Sequence, residues 1–379
     1  MEDGLETHEG LPPNNVRMAE TLNRLAQCLE AAAPSLAEPD AWTREQLAAM
    51  SEAGVLGWLV PVEFGGSDIS PLELVAGYRK LAAACLTSVF VLTQRNAAIQ
   101  RLVRSPNFEL KERLLRALVD DSIFATVGIS HLTTSRQHWK KPTVQAEETD
   151  GGFVFNGAIP WVTGADRADV VVSGGTLPDG RQLLVALDMK SPGVIVQTPA
   201  PLMALNASRT ASINLENVRV PAGDLVAGPI ENVMKVAGGG AGSHTTSALA
   251  VGHSAAALKM LRGEAKKRPD LEEIVEPFAK ELAALESALD EATAWTGNDL
   301  PERLSAETLR QQSNSLALRS TQAALAASKG AGFIAGHPAS RLVSEAMFFL
   351  VWSCPQPVVL ANLRELAATG CETSFDTTS

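Results

Sequence analysis

The chain has 379 residues, 45% of them hydrophobic and 20% charged, enough apolar mass for two or three domains with sizeable cores. A formal net charge of −11 argues against nucleic acid or an anionic membrane surface as partner. No apolar run approaches the length of a membrane span, and the four cysteines (Cys28, Cys85, Cys354, Cys371) and six histidines are scattered without metal or redox spacing, so free thiols in a reducing cytoplasm, and no metal, are expected.

Residues 1–15 are acidic and polar, with Pro12-Pro13, no basic start and no apolar core; they read as a disordered tail and not as a signal peptide. From residue 16 to about 120 the pattern is helical. Met18, Leu22, Leu25 and Leu29 repeat at spacings of three and four, and Thr43 with Gln46 three residues on reads as a helix start. Val60-Pro61-Val62-Glu63-Phe64-Gly65-Gly66 interrupts the helices. Pro71 opens a helix running towards Cys85 and Val91, and Phe108 to Leu118 supplies another.

Near Ser122 the period changes to that of strands. Ile123 to Ile129 is apolar and β-prone, Phe153 to Gly157 reads as a short strand and Ala168 to Ser173 as a buried one. Leu177 to Arg181 is a turn in which Pro178 presets φ and Gly180 takes φ > 0. Leu183, Val185 and Leu187 alternate, as do Ile213 and Leu215, then Val218 and Val220. Residues 121–230 therefore read as a small β-barrel or sandwich. Between two of its strands lies Ile159-Pro160-Trp161-Val162-Thr163-Gly164-Ala165, a large apolar ring beside a hydroxyl that can donate to a ring nitrogen. A planar aromatic ligand suits it; so does a strand end with a core tryptophan.

After Gly238-Gly239-Gly240, a domain joint without the lysine of a phosphate loop, helical periodicity returns for residues 231–379. Leu282, Leu285, Leu289 and Ala292 form one stripe. Leu309, Leu316, Ala323 and Ala327 form another, with a helix end near Lys329-Gly330.

The order of helices, β-block and helices, with Trp161-Val162-Thr163, Glu216-Asn217-Val218-Arg219-Val220-Pro221, Val60 to Gly66 and Pro338-Ala339-Ser340-Arg341-Leu342, resembles the acyl-CoA dehydrogenase family over nearly the whole chain after the tail. That resemblance implies an α+β multidomain fold: an N-terminal helical domain, a middle β-barrel or sandwich and a C-terminal four-helix bundle. It also implies non-covalent FAD, a small-molecule substrate such as an acyl-CoA, and a homodimer or a homotetramer built from dimers. The Ala323 to Ala327 face permits close helix approach. The electron acceptor stays open.

Such an enzyme must hold a flavin ring, hold a diphosphate, and take a proton from the substrate as hydride leaves. By resemblance Trp161 and Thr163 contact the ring, Thr163 at N5, and the backbone amides of Ile129 and Ser130 can donate to its pyrimidine edge. In the loop that follows, only Ser135 matches the family. For the diphosphate the family uses an arginine in Arg-x-x-Phe; here stands Lys266-Lys267-Arg268, readable equally as a solvated basic patch. A family glutamine is replaced by Ala326, and Gly-Met-Arg by Ala204-Leu205-Asn206. The usual catalytic glutamate falls on Ser353, and the position some members use on the first helix after the β-block falls on Thr245; neither is a carboxylate. His244 and His253 are the nearest substitutes, although a satisfied structural histidine is the better reading of each. Glu345 matches a structural acid of the family, and Glu365 falls on a later helix. Three functions are compatible with this pattern. One is an FAD-dependent oxidoreductase lacking the usual glutamate. The second is a flavin-dependent monooxygenase on the same fold, which needs no α-proton base. The third is a non-catalytic member with a decayed flavin site.

Overall fold

The computed structural model describes residues 13–133, 142–236, 244–352, 354 and 356–367. The chain opens with five longer helices, α1 (Pro13–Ala32), α2 (Arg44–Glu52), α3 (Pro71–Ala84), α4 (Leu86–Arg104) and α5 (Phe108–Val119). Strand β1 (Ala125–Gly128), the short α6 (Ser130–Thr133) and strands β2 (Val144–Thr149), β3 (Gly152–Val162), β4 (Val170–Thr176), β5 (Gln182–Asp188), β6 (Val194–Val196), β7 (Ala211–Pro221) and β8 (Leu225–Ile230) follow. The rest is helical: α7 (Val233–Val236), α8 (His244–Ala265), α9 (Glu272–Ala294), α10 (Ala306–Ala327), α11 (Lys329–Gly332), α12 (Pro338–Ala346) and α13 (Gln356–Ala367).

Local chemistry sets the boundaries. α3 starts at Pro71 because Ser70 and Glu73 form a reciprocal capping box, each side chain bonding the other's backbone N–H. The start expected at Thr43 is present, but its side chain makes no cap bond: Thr43 sits at φ −76, ψ 30, not in the extended conformation of a capping residue. The single helix expected from Pro71 to Val91 is two: Cys85 is extended (φ −156, ψ 101) and the chain restarts at Leu86. α1 begins at Pro13, inside the expected tail; residues 1–12 lie outside the described residues, as does the glycine joint at 238–240.

The strands form one mixed sheet in the order β6-β7-β3-β2-β4-β5-β8, with β1 parallel to β4. The short strand expected over Phe153–Gly157 is longer, running as the eleven-residue β3 into the Trp161 segment. Its pairing to β7 shifts register between Phe155 and Gly157 and again between Ile159 and Val162. Apolar side chains of β3, β4, β5 and β7 build one core, including Phe155, Ile159, Val162, Leu183 and Ile213. A second core joins α4 and α5 to β1, β4 and β5. The largest runs through α1 to α4 and α8 to α10, with the Leu282, Leu285, Leu289 and Ala292 stripe of α9 buried. In α10, Ala324 and Ala327 are buried within the chain, Ala324 packing on Ala257 of α8. That part of the alanine face is therefore not free for another subunit.

Candidate functional site

Pro160 and Trp161 fall in the second register shift of β3, between the paired residues Ile159 and Val162. A bulge turns the strand, and re-aims its side chains. Ile159 and Val162 stay in the β-core, Trp161 comes out 53% exposed, and Thr163 is 5% exposed. Thr163 heads a chain of buried hydroxyls: its Oγ1 is 3.4 Å from Thr210 Oγ1, which is 2.9 Å from Ser208 Oγ. Backbone bonds hold the same two segments together, Gly164 N–H to the Ser208 carbonyl (2.8 Å) and Ala165 N–H to that of Arg209 (3.3 Å). Gly164 takes φ +66, and a Cβ there would lie 2.8 Å from Phe124 Cε1 and 2.9 Å from Trp42 Cη2. Only glycine allows those two rings, packed edge to face at 5.3 Å, to close over the turn.

Arg209, also at positive φ (+50), ties this corner down. Its guanidinium bonds Asp166 at 2.5 and 3.0 Å and Asp40 at 2.8 Å, joining the loop before α2 to the turn after β3. Leu205 (φ +63) and Arg209 flank a single turn, Asn206–Ser208, which packs against α4. Two non-glycine residues in left-handed conformations beside one candidate site are backbone strain that tertiary contacts must hold.

The end of β1 lies over the end of β3. A Cβ on Gly128 would sit 2.6 Å from Ile159 Cγ2 and 2.9 Å from Val162 Cγ2. Ile129 and Ser130, half-buried at the start of α6, are thereby brought beside the Trp161–Thr163 segment, and α6 packs on β3. His131 faces the Gly174 carbonyl (2.9 Å). Ser135 lies outside the described residues.

The other predicted residues are not brought to this corner by any described contact. His244 and Thr245 open α8, both half-buried; His244 Nδ1 is 3.4 Å from Thr293 Oγ1, and burial lowers its pKa. Lys266 is exposed just past the opposite end of that 22-residue helix, about 33 Å away along the axis. Of its neighbours, Lys267 pairs with Glu264 (2.9 Å). Arg268 bonds Glu264 (3.1 Å) and the Ala327 carbonyl, closing the α8–α9 corner onto the end of α10. Arg268 is thus a structural tie, not a free cation.

Ser353 lies outside the described residues; the residues before it are held by rings and by α10. Phe348 and Trp352 stack with centroids 5.2 Å apart, and Phe90 of α4 meets them edge-on at 4.8 and 5.2 Å. Arg310 of α10, fully buried, donates to the Trp352 carbonyl at 2.9 Å and lies over the Phe349 and Trp352 rings at 5.9 and 5.6 Å. Asn314 donates to the Phe349 carbonyl at 3.0 Å. Of the nearby acids, Glu345 is buried and Glu365, exposed on α13, accepts from Ser315.

By resemblance Ser208 and Thr210 keep the family's residues, and the structure joins them to Thr163; sequence reasoning missed Arg310, Arg209 and the aromatic trio. The one available signal was a phenylalanine and a tryptophan four apart, at 348 and 352, at the spacing that puts two rings on one helical face.

The donor set fits the ring half of an FAD: an open indole face beside a buried hydroxyl, with backbone amides at 129–130 alongside. The diphosphate half is not assembled from the described residues of one protomer. Among the described residues no group of three His, Cys, Asp or Glu could hold a metal, and no helix is long and apolar enough to cross a membrane.

Comparison with known proteins gives the following. Residues 17–122 are matched by the family model "Acyl-CoA dehydrogenase, N-terminal domain". A probable acyl-CoA dehydrogenase, YngJ of Bacillus subtilis, is 26% identical over 320 residues, 78% of this chain and 82% of that one. The amino sugar nitrososynthase RubN8 of Streptomyces rubradiris is 29% identical over 219 residues, 55% of this chain and 48% of that one. The solved butyryl-CoA dehydrogenase of Megasphaera elsdenii superposes with a TM-score of 0.79 at 16% identity, over 94% of this chain and 99% of that one.

Proposed function

We propose that the chain is a member of the acyl-CoA dehydrogenase family, a family of flavoprotein oxidoreductases, and an FAD-dependent enzyme that lacks the usual catalytic glutamate. One observation carries this reading: the half-exposed face of Trp161 beside the buried hydroxyl of Thr163, on a strand end bent outward by a register shift. An apolar wall and a single fixed donor side by side are what a flat, nitrogen-bearing ring system requires. Trp161 and Thr163 would hold the ring, Ile129 and Ser130 its edge through their amides, and Lys266, from another subunit, the diphosphate. FAD, when bound, supplies two-electron redox chemistry.

The test is the visible spectrum of the purified protein. A yellow protein, or a colourless one that takes up FAD with quenching of flavin fluorescence, is expected. Trp161→Ala should weaken uptake about tenfold, since an aromatic stack contributes on the order of 1 kcal/mol beyond the area it covers. A protein that neither carries nor takes up FAD would favour the non-catalytic reading.

A second reading has its own support. Neither position at which the family places a base carries a carboxylate, Thr245 and Ser353 standing there. RubN8, by its name a nitrososynthase, is 29% identical over 55% of the chain. An oxygen-dependent hydroxylation of an amine or similar group does not begin with removal of an α-proton. Oxygen uptake coupled to an external flavin reductase separates the two, and stoichiometric uptake without acyl-CoA would favour the hydroxylase.

Self-association is part of the proposal. Phe333 (84% exposed), Ile334, Val351, Leu363 and Leu366 present apolar surface from the C-terminal helices, and Lys266 stands at the far end of α8 from His244. A homodimer, or a tetramer of dimers, should appear by light scattering at micromolar concentration. A monomer mass there would remove the second subunit from the site.

A further inference from the structure

Where α4, α8 and α12 meet, the helices enclose an acid and a base away from water. Glu345 of α12 is 4% exposed and His253 of α8 is 1% exposed. His253 Nε2 donates to the Leu342 carbonyl at 2.8 Å, which fixes the tautomer and leaves the lone pair on Nδ1. That Nδ1 has no hydrogen-bond partner among the described residues and lies 3.9 Å from Glu345 Oε2. The other carboxyl oxygen accepts from Thr87 Oγ1 of α4 at 3.4 Å. α4 also contributes the Cys85 thiol, bonded to Ser88 at 3.1 Å. Arg341, from α12 itself, is the one cation acting on the carboxyl. α10, on the other side of α12, faces Leu342 with Ala324, and its Arg310 points to the Trp352 carbonyl.

An ionised carboxylate in this pocket would have one hydroxyl donor and no solvent, a costly arrangement. A lone pair without a donor, about 1 Å beyond hydrogen-bond reach of an acid, is its chemical complement. Thr87 and Phe90 are three residues apart on one face of α4, so the contacts that receive Glu345 adjoin those that receive Phe348 and Trp352. We propose that His253 and Glu345 hold a single proton between them and so seat α12, with the Phe348 and Trp352 rings that follow it, on α4 and α8; loss of that proton loosens the seat.

Burial pushes the Glu345 carboxyl up to about 7 and His253 down to about 4. The signs then oppose. Between about 4 and 6.5 the unfolded chain holds a proton on His253 that the native chain does not, so stability rises with pH. Between 4.5 and about 7 the native chain holds a proton on Glu345 that the unfolded chain does not, so stability falls with pH. Over the shared window each state carries one proton and the slopes cancel, leaving a net loss from 6.5 to about 7.

The experiment is an infrared pH titration of the full chain, with tryptophan fluorescence recorded in parallel. The wild type should show the carbonyl band of a dehydrated carboxylic acid that vanishes as pH rises through about 7, with a fluorescence change at the same midpoint. Glu345→Gln, checked for folding by its thermal melt, should lose both. Thr87→Val removes the donor to the carboxylate and should move the midpoint upward, a shift that a purely packing role would not produce. Histidine-labelled protein should keep one of its six rings in the neutral Nε2–H form below pH 6. No acid band at pH 6, a band that survives in Glu345→Gln, or a His253 charged above pH 6 would overturn the proposal.

Discussion

Anaerobic mixing with a panel of acyl-CoAs is expected to reduce the flavin-loaded wild type slowly or not at all, and Ser353→Glu is expected to raise that rate by ~10²–10⁴, the contribution of a placed base. Removal of an α-proton needs an acceptor at the reacting carbon. At the two positions where the resemblance to the family would place one, this chain has Ser353 and Thr245, whose hydroxyls are uncharged near neutral pH. The buried carboxyl of Glu345 is no substitute, being enclosed by α4, α8 and α12, and Glu365 is tied to Ser315 on the bundle surface. The described residues just before position 353 are tied to α4 and α10. Arg310 and Asn314 grip the carbonyls of Trp352 and Phe349, and the Phe348 and Trp352 rings lock against Phe90. The guanidinium of Arg310 would also favour the ionised form of a carboxylate close to Trp352. Fast reduction in the wild type would show that another group takes the proton. His244 is then the residue to change first, because burial lowers its pKa and so keeps the ring neutral, able to accept a proton.

Arg95→Ala should destabilise the chain by about 3–5 kcal/mol, read as a fall in the denaturant midpoint with little change in slope. Arg95 of α4 is 1% exposed. It donates to the Leu56 carbonyl at 2.8 Å and to the Leu118 carbonyl at the end of α5. These bonds supply a donor to two carbonyls, one after α2 and one in the last turn of α5. Removing the guanidinium takes this donor from the Leu56 carbonyl, leaves the Leu118 carbonyl with the long 3.4 Å bond from the Asp121 N–H, and opens a cavity the length of the side chain. Burial lowers the guanidinium to about 10, so it remains charged at neutral pH, and Asp121 is its nearest compensating acid. Arg95→Lys should recover only part of the loss, because one ammonium cannot span two divergent carbonyls as a planar fork does. A loss under 1 kcal/mol for the alanine variant would mean that water replaces the guanidinium in place.

The large divisions of the molecule were legible in the chain itself. Leu282, Leu285, Leu289 and Ala292 recur at helical spacing, and Ile213, Leu215, Val218 and Val220 at strand spacing; all eight are buried, because periodicity records which face a segment turns inward. Turn chemistry was equally local: Gly180 takes φ +91 where the Pro-Asp-Gly sequence calls for it. The Trp161–Thr163 pair stood out as an apolar ring beside a hydroxyl donor in a segment that resembles one of the family's. What the chain could not disclose is everything set by long-range closure. The break at Cys85 comes from no helix-breaking residue. The exposure of Trp161 depends on a register shift against β7, and the fixing of its turn on Arg209 reaching Asp40 across the fold. Arg310 and Arg95 carry no signal in the sequence that sets them apart from surface arginines. Their burial, like the meeting of His253 with Glu345, follows from how the helices cross, which a one-dimensional pattern of apolar spacing does not encode.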